Sequence, residues 1–418
     1  MNTKYIHIGK STILWEKTSF SRAFKFLKNN SLSRAELSDD NGNVKNIHYG
    51  DILIKFSECL YADEGNSIPY IINDNIAYKL LKLSPLINGD IVFADAAEDN
   101  TVGKCIEIIT HNDTDLVAGL HTIPCRPTIK FAEGYLGYYL NSTAFHNQLL
   151  QYIQGTKISS ISKKSICQTI ISYPSEIINQ QKIASYFQSL DSLIQSTSKK
   201  LASLKQIKVA SLQSMFPQEG ETVPKVRFNG FEEEWICVLF KEITYKTGIK
   251  NSENLSLESY SISNELGFIP QNKQFENGGT MSKADKRMYY IVSPKSFAYN
   301  PARINVGSLG YYQGERDVIV SSLYEVFKTS DIVDDLFLFY WFKTNIFKRM
   351  IEQYQEGGVR LYFFFDKLQK CQIKVPSLQE QQKIASYFYN LDKQISLQTQ
   401  RLEKLKQIKA ACLDKMFV

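Results

Sequence analysis

The 418-residue chain has no long hydrophobic run: its longest strongly apolar stretch, Leu336–Phe342, is far shorter than the ~20 residues of a membrane-spanning helix. Lys4, His7 and Lys10 interrupt the apolar positions of the first fifteen residues, so no secretory leader is expected. The seven cysteines (59, 105, 125, 167, 237, 371 and 412) are odd in number and contain no C-x-x-C pair. That excludes a disulfide framework or a zinc ribbon, and predicts reduced thiols in a cytoplasmic protein. The five histidines (7, 48, 111, 121 and 146) form no H-x-x-x-H pair, so no metal site is expected. Neither G-x-G, nor G-x-x-x-x-G-K-[ST], nor G-x-S-x-G occurs, and there is no Pro-Pro for an amino-methyltransferase D-P-P-Y or N-P-P-F box. The phosphate- and cofactor-binding loops of the commonest transferases and nucleotidases are therefore missing, and no catalytic residue is assigned.

What the chain does have is a duplication. Residues 180–216 align with 381–417 at a constant offset of 201, with 21 identities in 37 positions. Both copies begin Q-Q-K-I-A-S-Y-F, carry L-D at 190–191 and 391–392, continue L-K-Q-I-K at 204–208 and 405–409, and end in Met-Phe. With one inserted residue the match extends upstream, pairing Pro174 with Pro376, Gly155 with Gly357, Tyr152 with Tyr354, and Tyr138-Tyr139 with Tyr340-Trp341. Farther upstream the halves differ. The order is variable, constant, variable, constant: domains at 1–173 and 217–375 (the latter with an entry linker at 217–228), and constant segments at 174–216 and 376–418.

The constant segments read as long helices. Apolar residues recur at Ile183, Phe187, Leu190, Ile194, Leu201 and Leu204, and again at Ile384, Phe388, Leu391, Ile395, Leu402 and Leu405, without an internal Gly or Pro. Steps of four and three with one of seven describe a heptad stripe, and each helix would reach roughly 55 Å. Thr197 and Gln398 occupy the skipped position and form a polar layer suited to holding register. One stripe cannot be buried alone, and the nearest equivalent surface is the other copy. An antiparallel intramolecular coiled coil with a pseudo-twofold axis is predicted, although a stripe of this kind serves equally as plain core or as a dimer surface. Pro217, Gly220 and Pro224 end the first helix.

Each constant repeat carries a net charge of +4, which with the overall +6 leaves −2 on the rest. The variable domains are not polycations, and any affinity of theirs for an acidic polymer should be moderate. In the first domain, Gly50-Asp51-Ile52-Leu53 and Gly89-Asp90-Ile91-Val92 read as turns launching apolar strands, and Ala94–Thr101 and Gly119–His121 as polar loops. The second carries cations among aromatics near Lys283, Lys286, Arg287, Tyr289 and Tyr290, then F-A-Y-N-P-A-R-I-N-V-G-S at 297–308. Lys and Arg suit phosphates, and Arg and Asn read guanine and adenine edges; the competing reading is a solvated face with an apolar back. The nucleic-acid candidates are Lys55, Asn100, His121, Lys157 and Lys163 in the first domain. In the second they are Lys283, Arg287, Tyr289, Arg303, Asn305, Arg316 and Arg360.

The doubled Q-Q-K-I-A-S-Y-F, L-D and L-K-Q-I-K…M-F pattern resembles the constant regions of type I restriction-modification specificity subunits. I-H-Y-G-D-I-L (47–53), N-G-D-I-V-F-A (88–94), F-A-Y-N-P-A-R-I-N-V-G-S (297–308) and P-K-V-R-F-N-G-F-E-E-E-W (224–235) look like parts of that family's target-recognition domains. The resemblance covers nearly the whole chain. One departure is Ile178-Asn179-Gln180-Gln181, where the second copy has the more usual acidic Glu380-Gln381-Gln382. The resemblance implies an α+β or α/β architecture of two recognition domains separated by two antiparallel helices. It also implies double-stranded DNA as ligand, two adenine-methylating subunits and optional restriction-translocase subunits as partners. S-adenosylmethionine, ATP and Mg are then cofactors of those partners, with none held by this chain. Rival readings are the specificity subunit of a system cutting on both sides of its target, and a coiled-coil scaffold with two protein-binding domains.

Overall fold

A computed structural model describes residues 4–8, 11–63, 68–112, 114–155, 157–264, 267–274, 285–358 and 361–417. The two constant segments are helices of 38 residues each, Ile177–Ser214 and Leu378–Lys415, about 57 Å long at 1.5 Å per residue. None of the helices among the described residues is long and apolar enough to cross a membrane. Two compact units result, residues 1–198 with 401–418, and residues 199–400. Each variable domain is thus joined by the first half of one long helix and the second half of the other.

In the first unit a five-stranded sheet runs in the order Phe24–Phe26, Thr122–Pro127, Ile91–Ala94, Cys105–Ile109 and Cys59–Tyr61, antiparallel except for the last pair. Side-chain alternation along its middle strands sorts residues onto two faces. Ile91, Phe93, Cys105 and Ile109 join an aromatic core with Trp15, Phe20, Tyr139 and Phe187, whereas Val92, Ala94, Ile106 and Ile108 join a second core with Ile47, Ile52 and Leu60. Burial on both faces explains why these strands read as continuous apolar runs. Glu107 lies fully within this sheet and accepts hydrogen bonds from the backbone N–H of Gly134 and Gly137, 2.7 Å each. It caps the helix Tyr135–Leu140, and burial pushes its carboxyl up to about 7 despite those bonds.

The second unit repeats the plan with different strands. Thr244–Lys246, Glu325–Thr329, Ser296–Tyr299 and Leu309–Tyr312 form an antiparallel sheet. Phe297, Tyr299 and Phe327 face an aromatic core with Phe337, Tyr340 and Phe388, while Ala298 and Val326 face a smaller core with Val292, Val318 and Val320. A second, five-stranded sheet runs Ile249–Lys250, Tyr290–Val292, Val318–Val320, Ser259–Ser263 and Gly267–Pro270.

The long helices pair antiparallel inside each unit, through the same residues of the repeat. In the first unit Phe187 stacks on Phe417 at 5.7 Å and on Tyr138 at 4.8 Å. In the second, Phe388 stacks on Phe216 at 6.0 Å and on Tyr340 at 5.0 Å. The Tyr138 hydroxyl donates to Asp191 (2.8 Å), which pairs with Lys409 (2.6 Å); Tyr340 donates to Asp392 (3.1 Å), which pairs with Lys208. The stripe is therefore a three-way junction at these ends, where each helix meets its variable domain as well as the opposite helix. Ile183, Phe187, Leu190, Leu201, Ile384, Phe388, Leu391 and Leu402 are buried, and Ile194, Leu204, Ile395 and Leu405 half-buried. Thr197 is buried and Gln398 half-buried.

Two expectations for the first domain differ from the structure. Ala94–Thr101 is a polar loop only from Glu98 on, since Ala94 ends the strand Ile91–Ala94 and Ala96–Ala97 form a short buried strand. Gly50-Asp51-Ile52-Leu53 launches no strand but lies within a helix, Tyr49–Ile54. The His48 ring caps it by accepting from the Gly50 N–H (3.2 Å), and Asp51 sits in its first turn, where an acid is favoured. The matching Gly89-Asp90 does open a strand, with Gly89 at φ +80°. The departure at Asn179 also has a reason: Glu380 is buried and takes a bidentate pair from Arg227 of the entry linker (2.7 and 2.8 Å), whereas Asn179 bonds only locally, to Glu176.

Lys409 is held between Glu58 (2.5 Å) and Asp191 (2.6 Å), all three largely shielded from water. Burial alone would depress the Lys409 ammonium, but the two carboxylates hold it above the ordinary lysine range. Lys409→Met should leave both carboxylates without their cation, Asp191 keeping only the Tyr138 hydroxyl, and cost about 3 kcal/mol, lowering the melting temperature of the first unit by roughly 5–10 °C in calorimetry. A shift below about 2 °C would show that the pair is dispensable.

Candidate nucleic-acid interface

In the first unit a polar surface gathers around the helix Tyr49–Ile54. Its Tyr49 ring lies 4.7 Å from the His48 ring and 5.3 Å from the edge-on His121 ring. His121 adopts φ +53° and bonds Asp95 at 3.1 Å. Burial lowers the His48 pKa, with Arg34 adding to the effect. Beneath the helix, Asp51 is 1% exposed and receives Arg34 at 2.6 Å and Lys55 at 3.2 Å. The cations stand over a fixed carboxylate, which orients them, holds Arg34 protonated and offsets part of their field. Lys55 and His121 thus meet through one helix, and Arg34, Tyr49 and Asp95 join them.

The other candidates of this unit are more scattered. Asn100 is exposed in the turn after Asp99, whose carboxylate accepts from the Thr101 N–H at 2.8 Å. Lys157 is exposed. Lys163 starts the short helix Lys163–Cys167 and rests over the Phe26 ring at 5.6 Å.

In the second unit a cleft of about 1300 Å³ opens between the segment Ile304–Gly314, the helices Asp335–Trp341 and Asn345–Tyr354, and the long-helix residues 389–400. Its aromatic wall includes Tyr260, Phe268, Tyr311 and Phe339, its amides include Asn264, Asn305 and Gln313, and it holds four lysines against one aspartate. Of the predicted residues of this unit, Asn305 lines the cleft. Arg303 and Arg316 are exposed on the segments that flank it, around the short turn Ile304–Val306. Arg287 is exposed but clamped by Asp285 at 2.6 Å, which raises its pKa further. Tyr289 departs from the expectation of an exposed aromatic: it is 4% exposed and turned into the fold, where the chain passes from the exposed turn Lys286–Met288 into the strand Tyr290–Val292 and the Tyr289 carbonyl accepts from the Asn251 N–H at 2.8 Å. Lys283 and Arg360 lie outside the described residues.

Sequence reasoning missed Arg34, which carries no motif, Tyr49, which stands within I-H-Y-G-D-I-L without being singled out, and Lys343, Lys348 and Lys393 in the cleft. For these three a signal existed: extending the repeat places them opposite Asn141, His146 and Ser192.

The model for the type I restriction modification DNA specificity domain matches residues 41–206 and 279–407, more than half of the chain. The chain belongs to this family. A specificity subunit is also what its sequence relative is described as: the type I restriction enzyme MjaX specificity subunit of Methanocaldococcus jannaschii, 23% identical over 79% of this chain and 77% of the relative. The crystal structure of a type I restriction-modification S subunit from M. genitalium has a TM-score of 0.59 at 13% identity, covering 99% of this chain and 98% of that one. A chain from a structural study of assembly and conformational transition of the type I system gives 0.50 at 15% identity, covering 96% and 97%. These likenesses establish the fold of a specificity subunit, with two mixed α and β units and long helices.

Sorting the candidates by burial yields a test. Tyr289→Ala should cost about 3 kcal/mol as a large-to-small core change, whereas Arg303→Ala and Arg316→Ala should each stay within ~0.5 kcal/mol. Urea denaturation of the three variants decides; equal midpoints for all would contradict the assignment of Tyr289 to the core.

Proposed function

We propose that this chain is the non-catalytic reader of a type I restriction-modification complex. It recognises a bipartite, asymmetric duplex target and directs adenine methylation and restriction by partner subunits to it. The observation that carries this reading is the contrast between frame and readers. The helices, their Phe stacks and their Tyr-Asp-Lys links are repeated nearly residue for residue, while the variable domains differ in strand order and in surface chemistry. A repeated frame offers two equivalent docking surfaces, which favours two methyltransferase subunits per chain. Two unlike readers favour two unlike half-sites. S-adenosylmethionine, ATP and Mg then belong to the partners, and the chain contributes position.

The readers supply the elements of direct readout. Arg34, Lys55 and His121 in the first unit are donors on an ordered surface, and Arg303, Asn305 and Arg316 in the second combine phosphate-type and base-edge-type groups. Lys157, Lys163, Asn100 and Arg287 fit the role of positioning contacts to the backbone.

The test is an exchange. Replacing residues 217–375 by the corresponding domain of another specificity subunit, then mapping methylated adenines genome-wide in cells that carry the methyltransferase, should change one half of the target and leave the other half intact. A palindromic target, or one in which both halves change together, contradicts the proposal. The purified chain alone should transfer no radiolabelled methyl group from S-adenosylmethionine to DNA.

A further inference from the structure

The two units share a frame but differ in charge at the positions that line the cleft of the second. At three positions where the second unit has Lys343, Lys348 and Lys393, the repeat gives the first unit Asn141, His146 and Ser192. Asn141 is fully used inside its unit, donating to the carbonyls of Cys105 (2.8 Å) and Gly137 (2.7 Å) and accepting from the Cys105 N–H (3.0 Å). His146 lies 3.0 Å from the Val102 carbonyl. The fourth lysine of the cleft, Lys208, corresponds to Lys409, and these differ too: among the described residues Lys409 is held by two carboxylates and Lys208 by one, Asp392.

Lys343, Lys348 and Lys393 all line the cleft and are exposed to it, and among the described residues no carboxylate lies within ion-pair distance of any of them. Lys343 is the most confined. It follows the helix Asp335–Trp341, its ammonium lies 3.9 Å from the Phe339 ring centroid and 5.3 Å from that of Tyr340, and its neighbours in charge are Lys208 and Asp392. Enclosure in the cleft and the nearby Lys208 push its pKa down to about 8. A cation over aromatic faces, beside a second cation and with no anion of its own, is poised to accept an external anion.

We infer that the cleft of the second unit is a backbone clamp, in which Lys343, helped by Lys348 and Lys393, holds a DNA phosphate, and that the first unit has no counterpart. This rests on the DNA-reading proposal above and adds to it an unequal division of labour. The second reader would anchor the duplex electrostatically while the first depends on the oriented donors around Tyr49. Phosphates are the fitting anion because the lysines are spread along the cleft walls, two residues after one helix (Lys343), on the next helix (Lys348) and on the long helix (Lys393). That spacing suits a polyanionic strand. Lys343 would act as a positioning residue without sequence preference.

The experiment titrates the full-length chain against a fluorescent ~40-base-pair duplex pool of mixed sequence, from ~50 to ~200 mM salt. Each lost phosphate contact removes about 1 from the slope of log affinity against log salt. Lys343→Gln should show that loss with a weakening of about five-fold at ~0.15 M salt, Lys343→Arg should retain the wild-type slope, and Lys348→Gln should repeat the effect in smaller measure. His146→Gln, at the position opposite Lys348 in the first unit, should leave the slope unchanged. An unaltered slope in Lys343→Gln overturns the inference. So does a variant that keeps its slope but loses assembly with the methyltransferase in size-exclusion chromatography, since the cleft would then be a protein-docking surface. Failure of the wild-type chain to bind the duplex at any salt would instead strike at the DNA reading itself.

Discussion

The pairing of Asp191 with Lys409, and of Asp392 with Lys208, is the interaction on which the rest of the structure depends. In each unit the aspartate comes from the first half of one long helix and the lysine from the second half of the other. A tyrosine of the variable domain closes the link, and a Phe–Phe stack lies beside it. Because the partners are largely shielded from water, a shift of one residue in register would strand charged groups without partners, a cost of several kcal/mol. Heptad stripes alone tolerate slippage; a shielded ion pair at each end does not. Phe417 lies within the core built around Trp15 and Phe20, and Leu405, Ile408 and Cys412 pack against it.

The glutamine that opens both copies of the repeat is fixed in the same way. Gln180 and Gln381 are both buried. Each donates to a proline carbonyl, of Pro174 at 2.8 Å and Pro376 at 2.9 Å, and each accepts a backbone N–H from the variable domain, of Ala132 at 3.0 Å and Asp334 at 2.8 Å. Burying an amide is tolerable only when its donors and acceptors are satisfied. These bonds fasten the start of each helix to its reader, so that what differs between the readers begins only beyond a common joint.

Much of this architecture was legible in the sequence, for a physical reason: the frame is built from two copies under the same packing constraints, so the copies mark each other. The two long helices, their stripe, and the pairing of Gly155 with Gly357 and of Tyr138 with Tyr340 were readable from the alignment, and the structure adds that both glycines take positive φ. The readers were less legible. Gly50-Asp51 and Gly89-Asp90 look alike, yet one sits in a helix and the other in a turn, because His48 supplies a cap to the first. Tyr289 reads as part of a basic, aromatic surface, yet it is buried. The meeting of His121, Tyr49 and Arg34 around one short helix depends on loop paths with no periodic signal. The lysines of the second unit stood in the alignment as differences, in a comparison made for its identities.

The account holds that one repeated frame carries two unlike readers. The most direct measurement is selection of bound sequences from a random duplex library by the full chain together with its methyltransferase subunits, followed by sequencing. The account predicts enrichment of two short, dissimilar motifs separated by a constant unspecified gap. A single enriched motif, two copies of one motif, or a gap that varies freely would contradict it.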